Sequence, residues 1–382
     1  MKNKFFLGLM IFGIFSCASE LFADSWGERP DTHFYAHPFN EIKTSTRTFA
    51  RAEVIKVLRK GVVRHGGMLK VLIASGNHRG KVTYVPNFSF GPDTAVDEKE
   101  GTNVIISYYE GDEPSDVFIE DYDRIGSFVI LLIVFTLVVC LFGGLRSLYS
   151  LIVLGISMAV LKYIYIPGII MSSTPVLLTL ILVSGMIILT VLAVGGLSAK
   201  SLAAIAGSFA GMLVILLLSM YIYKLAHING FYLNEIRLLD YFADTGNMRT
   251  MFYYRNLLVS VLLIGASGVV MDAGITVASS VHEIKTVNPK AGMKELYKRG
   301  LSVGRDVSIT MANTLIVAFM GISLGSLLVE TLHISSFFQL FNTELFSVVF
   351  YQAVIGSTGY LVCIFVAALA SSLFMSSGVD KT

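Results

Sequence analysis

The sequence predicts a polytopic α-helical membrane bundle of about seven spans, preceded by an N-terminal signal or anchor and an extracytoplasmic β-rich domain of about 100 residues. Composition is the first indication: 54% of the 382 residues are hydrophobic and only 15% are charged, whereas roughly a quarter of the residues of soluble domains are charged. The second is a change near residue 124 from short alternating runs to long apolar ones. The third is an apolar N-terminal segment that follows two lysines.

Residues 1–23 are predicted to be a secretory signal peptide or an N-terminal anchor. Two lysines precede an apolar core of about a dozen residues and a stretch of small residues, the order that is typical of secretory signals. The run IFSC, which ends at Cys17, is a degenerate form of the lipobox of bacterial lipoproteins. Lipidation of Cys17, cleavage near Ala18 or Ala23, and retention as an anchor helix therefore remain open.

Residues 24–123 are predicted to form the β-rich domain. Short alternating runs such as RAEVIKVL, LKVLIAS and NVIISYY are separated by Gly, Asn, Pro and Asp, which is typical of strands joined by turns. A segment of about 100 residues is long enough to close a small barrel or sandwich.

Residues 124–382 are predicted to form the transmembrane helical domain. Each apolar run in this part is close to the roughly 20 residues that a helix needs to cross a bilayer. The segment between the fourth and fifth runs is polar and is expected at the surface, and the run before the last span has the composition of an interfacial helix. The predicted spans are about 127–144, 149–166, 174–194, 201–223, 256–280, 307–329 and 355–376.

The distribution of Lys and Arg predicts the orientation, because short cytoplasmic loops carry an excess of these residues. With the β-rich domain outside, the inward-facing loops carry nine Lys or Arg and the outward-facing loops carry five. A secretory signal places the β-rich domain on the same side. We therefore expect a protein of the bacterial cytoplasmic membrane with its C-terminus in the cytoplasm.

The motifs disfavour several classes of function. The three cysteines lie far apart, without the spacing of metal ligands or of a disulfide framework. The run GNHRGKV has the wrong spacing for a phosphate-binding loop, and no serine-elbow or dinucleotide fingerprint occurs. A net charge of +2 is too small to indicate a nucleic-acid partner. No cofactor, no metal site and no enzymatic activity is predicted.

Glycines recur at spacings that let membrane helices approach closely. Gly207 and Gly211 form one GxxxG pair, and Gly321 and Gly325 form another. Such pairs allow backbone contact between helices in lipid. Gly268 lies on one helix face with other small residues. We interpret all five glycines as helix-packing residues.

Two neighbouring spans each carry a polar stripe. Gly, Asp, Thr and Ser recur every three or four positions in the fifth span and so share one face of a helix, and the sixth span repeats the pattern. Antiparallel helices would place Asp272 and Asn313 at similar depths, about 12 and 10 Å from the inner end. The predicted transport or ion site comprises Asp272, Thr276, Ser279, Thr310, Asn313 and Thr314.

Asp272 is the residue of these stripes that most needs an explanation. A carboxylate at that depth costs roughly 2.5 to 3.5 kcal/mol on insertion scales, whereas a hydrogen bond between membrane helices contributes only about 0.6 to 2 kcal/mol. A bond to Asn313, Thr310 or Thr314 that ties the helices together therefore explains the acid less well than a polar pathway or ion site. Both interpretations remain open.

Glu283, Arg305 and Asp306 are predicted to form a gate at the inner end of the stripes. Asp306 has an alternative role, because a carboxylate at the start of a helix caps unpaired amides and suits the helix dipole. The loop from Lys285 to Arg305 carries six Lys or Arg against one Glu. This loop is expected to bind anionic lipid headgroups.

The run GASGVVMDAGITVASSVHEI, followed by the basic loop and GLSVGRDVSITMANTLIVAFMGISL, resembles the YibE/F-like membrane protein family. The likeness includes the GNHRGK turn, the DYDRI entry to the first span and the GSTGYL run in the last one, and so covers about residues 51–375. It implies a multi-pass membrane protein and carries over no established activity. The matching residues are Asp272, Ser279, Glu283, Gly304, Arg305, Asp306, Asn313 and Thr314.

Two functions follow as hypotheses. The first is a secondary transporter or permease, with Asp272 as a proton or cation site and the second stripe as a source of further ligands. The second is a membrane scaffold without transport, whose outer β-rich domain binds an envelope protein partner; self-association into a homo-oligomer is also open. An intramembrane hydrolase that pairs Asp272 with Asp306 is disfavoured by their depth difference of about 12 Å.

Overall fold

A computed structural model of the chain describes residues 47–59, 67–87, 99–109, 115–144, 147–171, 174–230, 249–334 and 336–376. The chain divides into two compact units, Met1–Val139 and Cys140–Thr382. The predicted signal or anchor with Cys17, and most of the polar segment between the fourth and fifth spans, lie outside the described residues.

One antiparallel sheet forms the described part of the first unit before residue 123. In chain order its strands are β1 (Arg47–Arg59), β2 (Gly67–Ile73), β3 (Val82–Asn87), β4 (Asn103–Tyr109) and β5 (Ser115–Tyr122). Their order in the sheet is β3-β2-β1-β4-β5, and the two edge strands contact each other. The sheet therefore curls into a half-barrel, which confirms the predicted β-rich region.

Alternation along the strands gives the sheet one buried face. Val54 pairs with Val71 across β1 and β2, and Ala50 pairs with Ile106 across β1 and β4. All four side chains are buried, whereas Glu53 is exposed, because neighbours along a strand point to opposite faces. The alternation of apolar and polar residues in the sequence thus places the apolar side chains in a hydrophobic core on one side of the sheet.

The run DYDRI joins the sheet to the first long helix, α1 (Ile125–Gly143). Asp123 accepts a hydrogen bond from the backbone N–H of Ile125 at 3.1 Å, which satisfies one of the unpaired amides at the helix start. The same carboxylate lies 3.4 Å from Nε of Arg51 on β1. Arg124 pairs with Asp121 of β5 at 2.5 Å. Two ion pairs therefore connect the strands to the start of α1.

Most of the remaining described chain is helical, and seven of its segments are long and apolar enough to cross a membrane. This finding confirms the predicted number. α1 has the highest mean hydropathy, 3.0, and contains no buried residue. The helices after α1 are α2 (Ser147–Val160), α3 (Ile166–Met171), α4 (Pro175–Gly195), α5 (Ala199–Leu225), α6 (Arg249–Val287), α7 (Met293–Ile322), α8 (Leu324–His333), α9 (Phe337–Asn342) and α10 (Glu344–Ser376).

The second apolar segment departs from regular α-helix. Between α2 and α3 lies a π-helical turn, Leu161–Tyr165, in which the N–H of Ile166 donates to the carbonyl of Leu161. Pro167 follows and has no backbone N–H to donate, so the regular pattern is interrupted at this place. Oη of Tyr165 lies 2.9 Å from Oγ1 of Thr179 on α4, and this hydrogen bond holds the turn against the next helix.

The core of the second unit lies where α5, α6 and α10 pack together. Small buried side chains line this contact, including Ala203 of α5, Ala273 of α6 and Ala367 of α10. α7 packs against α6 and α10. In lipid, helices gain stability mainly by close packing, because the surrounding chains are as apolar as the side chains. Small residues therefore dominate the centre of this bundle.

Glu344 links the turn after α5 to the start of α10. Its Oε1 accepts hydrogen bonds from the backbone N–H groups of Asn229 at 2.7 Å and Gly230 at 2.5 Å. Glu344 stands in the first turn of α10, where a carboxylate also suits the helix dipole. One side chain thus stabilises the ends of two core helices.

Candidate functional site

α6 has two faces of different chemistry. Apolar residues at three- and four-residue spacing form its buried side, and they include Leu262, Ala266, Val270, Ala273 and Val277. Small and polar residues at the same spacing form its exposed side: Gly265, Gly268, Asp272, Thr276 and Glu283, with half-buried Ser279 between the last two. One continuous helix thus places the first predicted stripe on a single face, as a period of 3.6 residues requires.

The carboxylate of Asp272 is exposed in the middle of α6. Within the part of the chain that the structure describes, it makes no hydrogen bond and no ion pair. One turn further on, Thr276 uses its backbone carbonyl to accept a hydrogen bond from the hydroxyl of Ser280 at 2.8 Å. Asp272 therefore remains available to a proton, a cation, water or another molecule.

α7 turns its polar stripe away from the bundle. Gly300, Gly304 and Leu315 are buried on the side that faces α6 and α10. Among the seven apolar segments of the described chain, α7 has the lowest mean hydropathy, 1.2. The exposed side of α7 carries Arg305, Asp306, Thr310, Asn313 and Thr314.

The hydroxyl groups of the α7 stripe are satisfied within their own helix. Thr310 Oγ1 donates to the carbonyl of Val307 at 2.9 Å, and Thr314 Oγ1 donates to the carbonyl of Thr310 at 2.9 Å. The amide of Asn313 makes no hydrogen bond to any described residue. The two stripes lie on neighbouring helices, but none of the described hydrogen bonds joins Asp272 to these three residues.

A small cavity lies at the C-terminal end of the α6 stripe. Its volume is about 40 Å³, and Ser279 lines it together with Lys200 and Ser201 of α5. A volume above about 10 to 15 Å³ admits a water molecule. The hydroxyls of Ser198 and Ser201 lie 3.1 Å apart at the start of α5. The structure therefore brings a cation and a hydroxyl of α5 beside the predicted site residue Ser279.

Lys200 and Ser201 line this cavity with Ser279, although the sequence did not single them out as candidate site residues. Lys200 is one of the nine Lys or Arg of the predicted inward-facing side, and the backbone N–H of Ser201 donates to the side chain of the capping residue Ser198. One signal points to Lys200. It lies in the first turn of α5, where the positive end of the helix dipole disfavours a cation; the excess of positive charge on the predicted inward side also accounts for a lysine here.

The three predicted gate residues, Glu283, Arg305 and Asp306, are exposed. None of them forms an ion pair within the described residues. The capping role considered for Asp306 is wrong, because α7 begins well before it, at Met293.

The predicted packing glycines divide into two groups. A Cβ on Gly207 would lie 2.6 Å from Cβ of Ala367, and a Cβ on Gly211 would lie 2.6 Å from the carbonyl oxygen of Gly359. These two glycines bring α5 into close contact with α10. No described atom lies within 4 Å of a Cβ added at Gly268, Gly321 or Gly325.

A larger cavity, of about 430 Å³, lies between α2, the π-helical turn and α4. Its walls are almost wholly apolar, and Ser157 and Tyr165 are the polar side chains among them. It shares no lining residue with either polar stripe. This cavity is therefore separate from the predicted site.

Comparison with known proteins identifies one family. The family described as YibE/F-like protein matches residues 131–377, which is more than half of the chain and includes both polar stripes. No curated protein and no solved structure matches the chain. The family match confirms the resemblance inferred from the sequence, and the seven apolar segments indicate a multi-pass membrane protein. The chain therefore belongs to the YibE/F-like protein family.

Proposed function

We propose that the protein is a secondary transporter or permease with a proton or cation site at Asp272. The observation that carries this proposal is an exposed carboxylate in the middle of an apolar helix, without a hydrogen bond or ion pair among the described residues. An acid that served only to tie two helices together would need such a bond. An ionisable residue inside a membrane span is best explained by a role in binding or moving a charge.

The stripe on α6 supplies a polar path away from Asp272. Thr276 lies one turn further along the exposed face, and Ser279 follows at the cavity that it shares with Lys200. A cavity of this size is large enough to admit a water molecule beside the Lys200 side chain, which suits proton movement. We propose Thr310, Asn313 and Thr314 as further ligands, and Glu283, Arg305 and Asp306 as the gate.

We propose that the β-sheet unit lies outside a bacterial cytoplasmic membrane and that the C-terminus is cytoplasmic. The excess of Lys and Arg in the loops of one side supports this orientation. Where α6 and α7 join, Nζ of Lys285 near the end of α6 donates to the carbonyls of Pro289 at 2.9 Å and Ala291 at 3.1 Å. Arg299 pairs with Glu295 at 3.0 Å within α7.

The remaining lysines of this region, one in the loop after α6 and two in the first two turns of α7, are suited to anionic lipid headgroups. They are exposed, and within the described chain they have no ion pair. A lysine near an anionic surface contributes about 1 kcal/mol to membrane attraction. We propose these residues as the headgroup contacts: Lys290, Lys294 and Lys298.

Flux through liposomes that contain the purified protein tests the transport proposal. Asp272→Asn keeps the size of the side chain and removes its charge, so we expect proton or cation flux to fall at least about tenfold, the effect of about 1.4 kcal/mol. Glu330→Gln on α8 removes an acid outside both stripes and is the matched control, for which we expect unchanged flux. Unchanged flux in Asp272→Asn would refute the role of this residue.

A second candidate function, a scaffold whose β-sheet unit binds an envelope protein partner, is favoured by the surface of the sheet. Large apolar side chains are exposed on three adjacent strands, and exposed apolar patches mark interaction sites. The scaffold function requires that Asp272→Asn leave the biological function intact, which distinguishes it from transport. The exposed apolar residues of β1 to β3 are Ile55, Leu58, Met68, Val82 and Tyr84.

A further inference from the structure

We infer that the outward face of α7 is the surface through which two copies of this chain associate in the membrane. The inference concerns assembly and does not rest on ion transport; in a transporter, the ligands and gate residues proposed on α7 would lie at this contact between copies. We define the outward face by residues that are all exposed in the single chain: Arg305, Asp306, Ile309, Thr310, Asn313, Thr314, Val317 and Gly321.

Lipid chains cannot form hydrogen bonds with the polar side chains of this face. The amide of Asn313, within the predicted span, has no hydrogen-bond partner among the described residues. Arg305 and Asp306 lie at the inner end of the span and have no ion pair among the described residues. In hydrocarbon, unsatisfied polar groups are costly because no water is present to bond them. The buried side of α7 is occupied by α6 and α10, and no segment among the described residues covers the outward face.

Membrane insertion restricts how a second copy can meet this face. Both copies insert in the same direction, so a two-fold axis along the membrane normal relates them. Where two α7 helices meet at this axis, each residue faces residues of the other copy that lie at the same depth in the membrane. The face therefore suits a second copy only if its chemistry complements itself at each level.

The outward face meets this condition at three levels. Arg305 and Asp306 are adjacent and of opposite charge, and they differ in height by only about 1.5 Å, so each copy can pair its arginine with the aspartate of the other. The amide of Asn313 is both donor and acceptor, so two such amides can bond to each other. Gly321 carries no side chain and lets the backbones approach.

Apolar side chains complete the face. Ile309 and Val317 flank Asn313 by one turn on either side and are 71% and 69% exposed. They supply dispersion contacts around the amide pair. An unrelated partner would need opposite charges, an amide and a small residue at the matching heights. A second copy has these groups at the same heights because the two copies are related by symmetry.

Cysteine cross-linking in native membranes tests this inference. In a variant with Cys17, Cys140 and Cys363 replaced, Asn313→Cys is expected to form a disulfide-linked dimer on mild oxidation. Leu213→Cys is the matched control, because Leu213 is 53% exposed near the middle of α5, on a different helix. We expect the dimer yield of Asn313→Cys to exceed the control at least about tenfold, because the paired thiols have a high effective concentration.

Charge exchange gives a second measurement. Energy transfer between labelled copies in liposomes reports self-association, and Arg305→Asp is expected to weaken it about tenfold by replacing two attractive pairs with repulsive ones. Arg305→Asp combined with Asp306→Arg restores opposite charges at the same level, so we expect recovery to within about twofold.

Three outcomes would overturn the inference. Equal dimer yields at positions 313 and 213 would mean that lipid covers the face. Cross-linking of Asn313→Cys to a protein of another mass would mean that a different partner covers it. Failure of the double charge exchange to restore association would refute the pairing. Neither measurement uses ion flux, so a failed transport proposal leaves this test unaffected.

Discussion

The backbone of Gly211 lies directly against that of Gly359, since a Cβ on Gly211 would lie 2.6 Å from the carbonyl oxygen of Gly359. The reverse also holds, because a Cβ on Gly359 would lie 2.8 Å from the carbonyl oxygen of Gly211. At this point α5 and α10 therefore meet backbone to backbone, and the side chain of Ile215 on α5 packs against Gly359 beside the contact. Both residues lie in the buried centre of the bundle, where close packing is the main source of helix association.

We expect Gly211→Ala to destabilise the bundle by about 1 to 3 kcal/mol, the usual cost of overpacking a core. The added methyl group would overlap a backbone oxygen, which cannot rotate away as a flexible side chain can. Denaturant unfolding of the purified protein in detergent measures the change.

Gly185→Ala on α4 is the control, because no described atom lies within 4 Å of its added Cβ. We expect its effect to stay within about 0.5 kcal/mol. If both variants unfold at the same denaturant concentration, the close contact between α5 and α10 is absent in the protein.

The glycine pairs illustrate what spacing in a sequence can and cannot predict. Gly207 and Gly211 have the same spacing as Gly321 and Gly325, but only the first pair contacts another helix of the described chain. Spacing predicts a shared face only if one helix spans both residues, and here α7 ends at Ile322 and Gly325 lies in α8. Spacing also carries no information on what covers a helix face.

The polar stripes and the strands show the same limit. Periodicity correctly placed Asp272 and its neighbours on one face of α6, but the cavity that Ser279 shares with Lys200 depends on a contact between distant segments. Alternation likewise indicated strands, whereas the order β3-β2-β1-β4-β5 depends on pairing between residues far apart in the chain.

We expect a fragment of residues 24–126 to fold alone, because the sheet has its own hydrophobic core. Leu69 is fully buried in this core, so Leu69→Ala should reduce the free energy of unfolding by about 2 to 5 kcal/mol. Urea unfolding followed by circular dichroism measures the change. Leu58→Ala is the control, since Leu58 is 47% exposed, and its effect should be within about 0.5 kcal/mol.

A fragment that unfolds without cooperativity would show that the sheet depends on the rest of the chain. A loss of stability in Leu58→Ala as large as that in Leu69→Ala would contradict the assignment of the buried face.

The Arg124 guanidinium lowers the pKa of the Asp121 carboxyl below its ordinary value, mainly through the hydrogen bond that Nη1 donates to Oδ2 at 2.5 Å. The backbone N–H of Tyr122 adds a second donor at 2.7 Å. Because the folded pKa is the lower one, the folded state favours the ionised acid. The resulting stabilisation is present above the unfolded pKa of about 3.9 and is lost as the pH falls through the folded pKa.

Titration of Asp121 in the same fragment, followed by the NMR shift of its carboxyl carbon, measures this effect. We expect a midpoint below that of an ordinary aspartate, and Arg124→Ala should move the midpoint upward because it removes the strongest donor. Arg79→Ala is the control: Arg79 is an exposed residue of the turn between β2 and β3, and its loss should leave the midpoint in place.

Both partners of the ion pair are largely exposed, so added salt should reduce the difference between the two variants. A midpoint that stays unchanged in Arg124→Ala would mean that this ion pair does not form at the junction of β5 and α1.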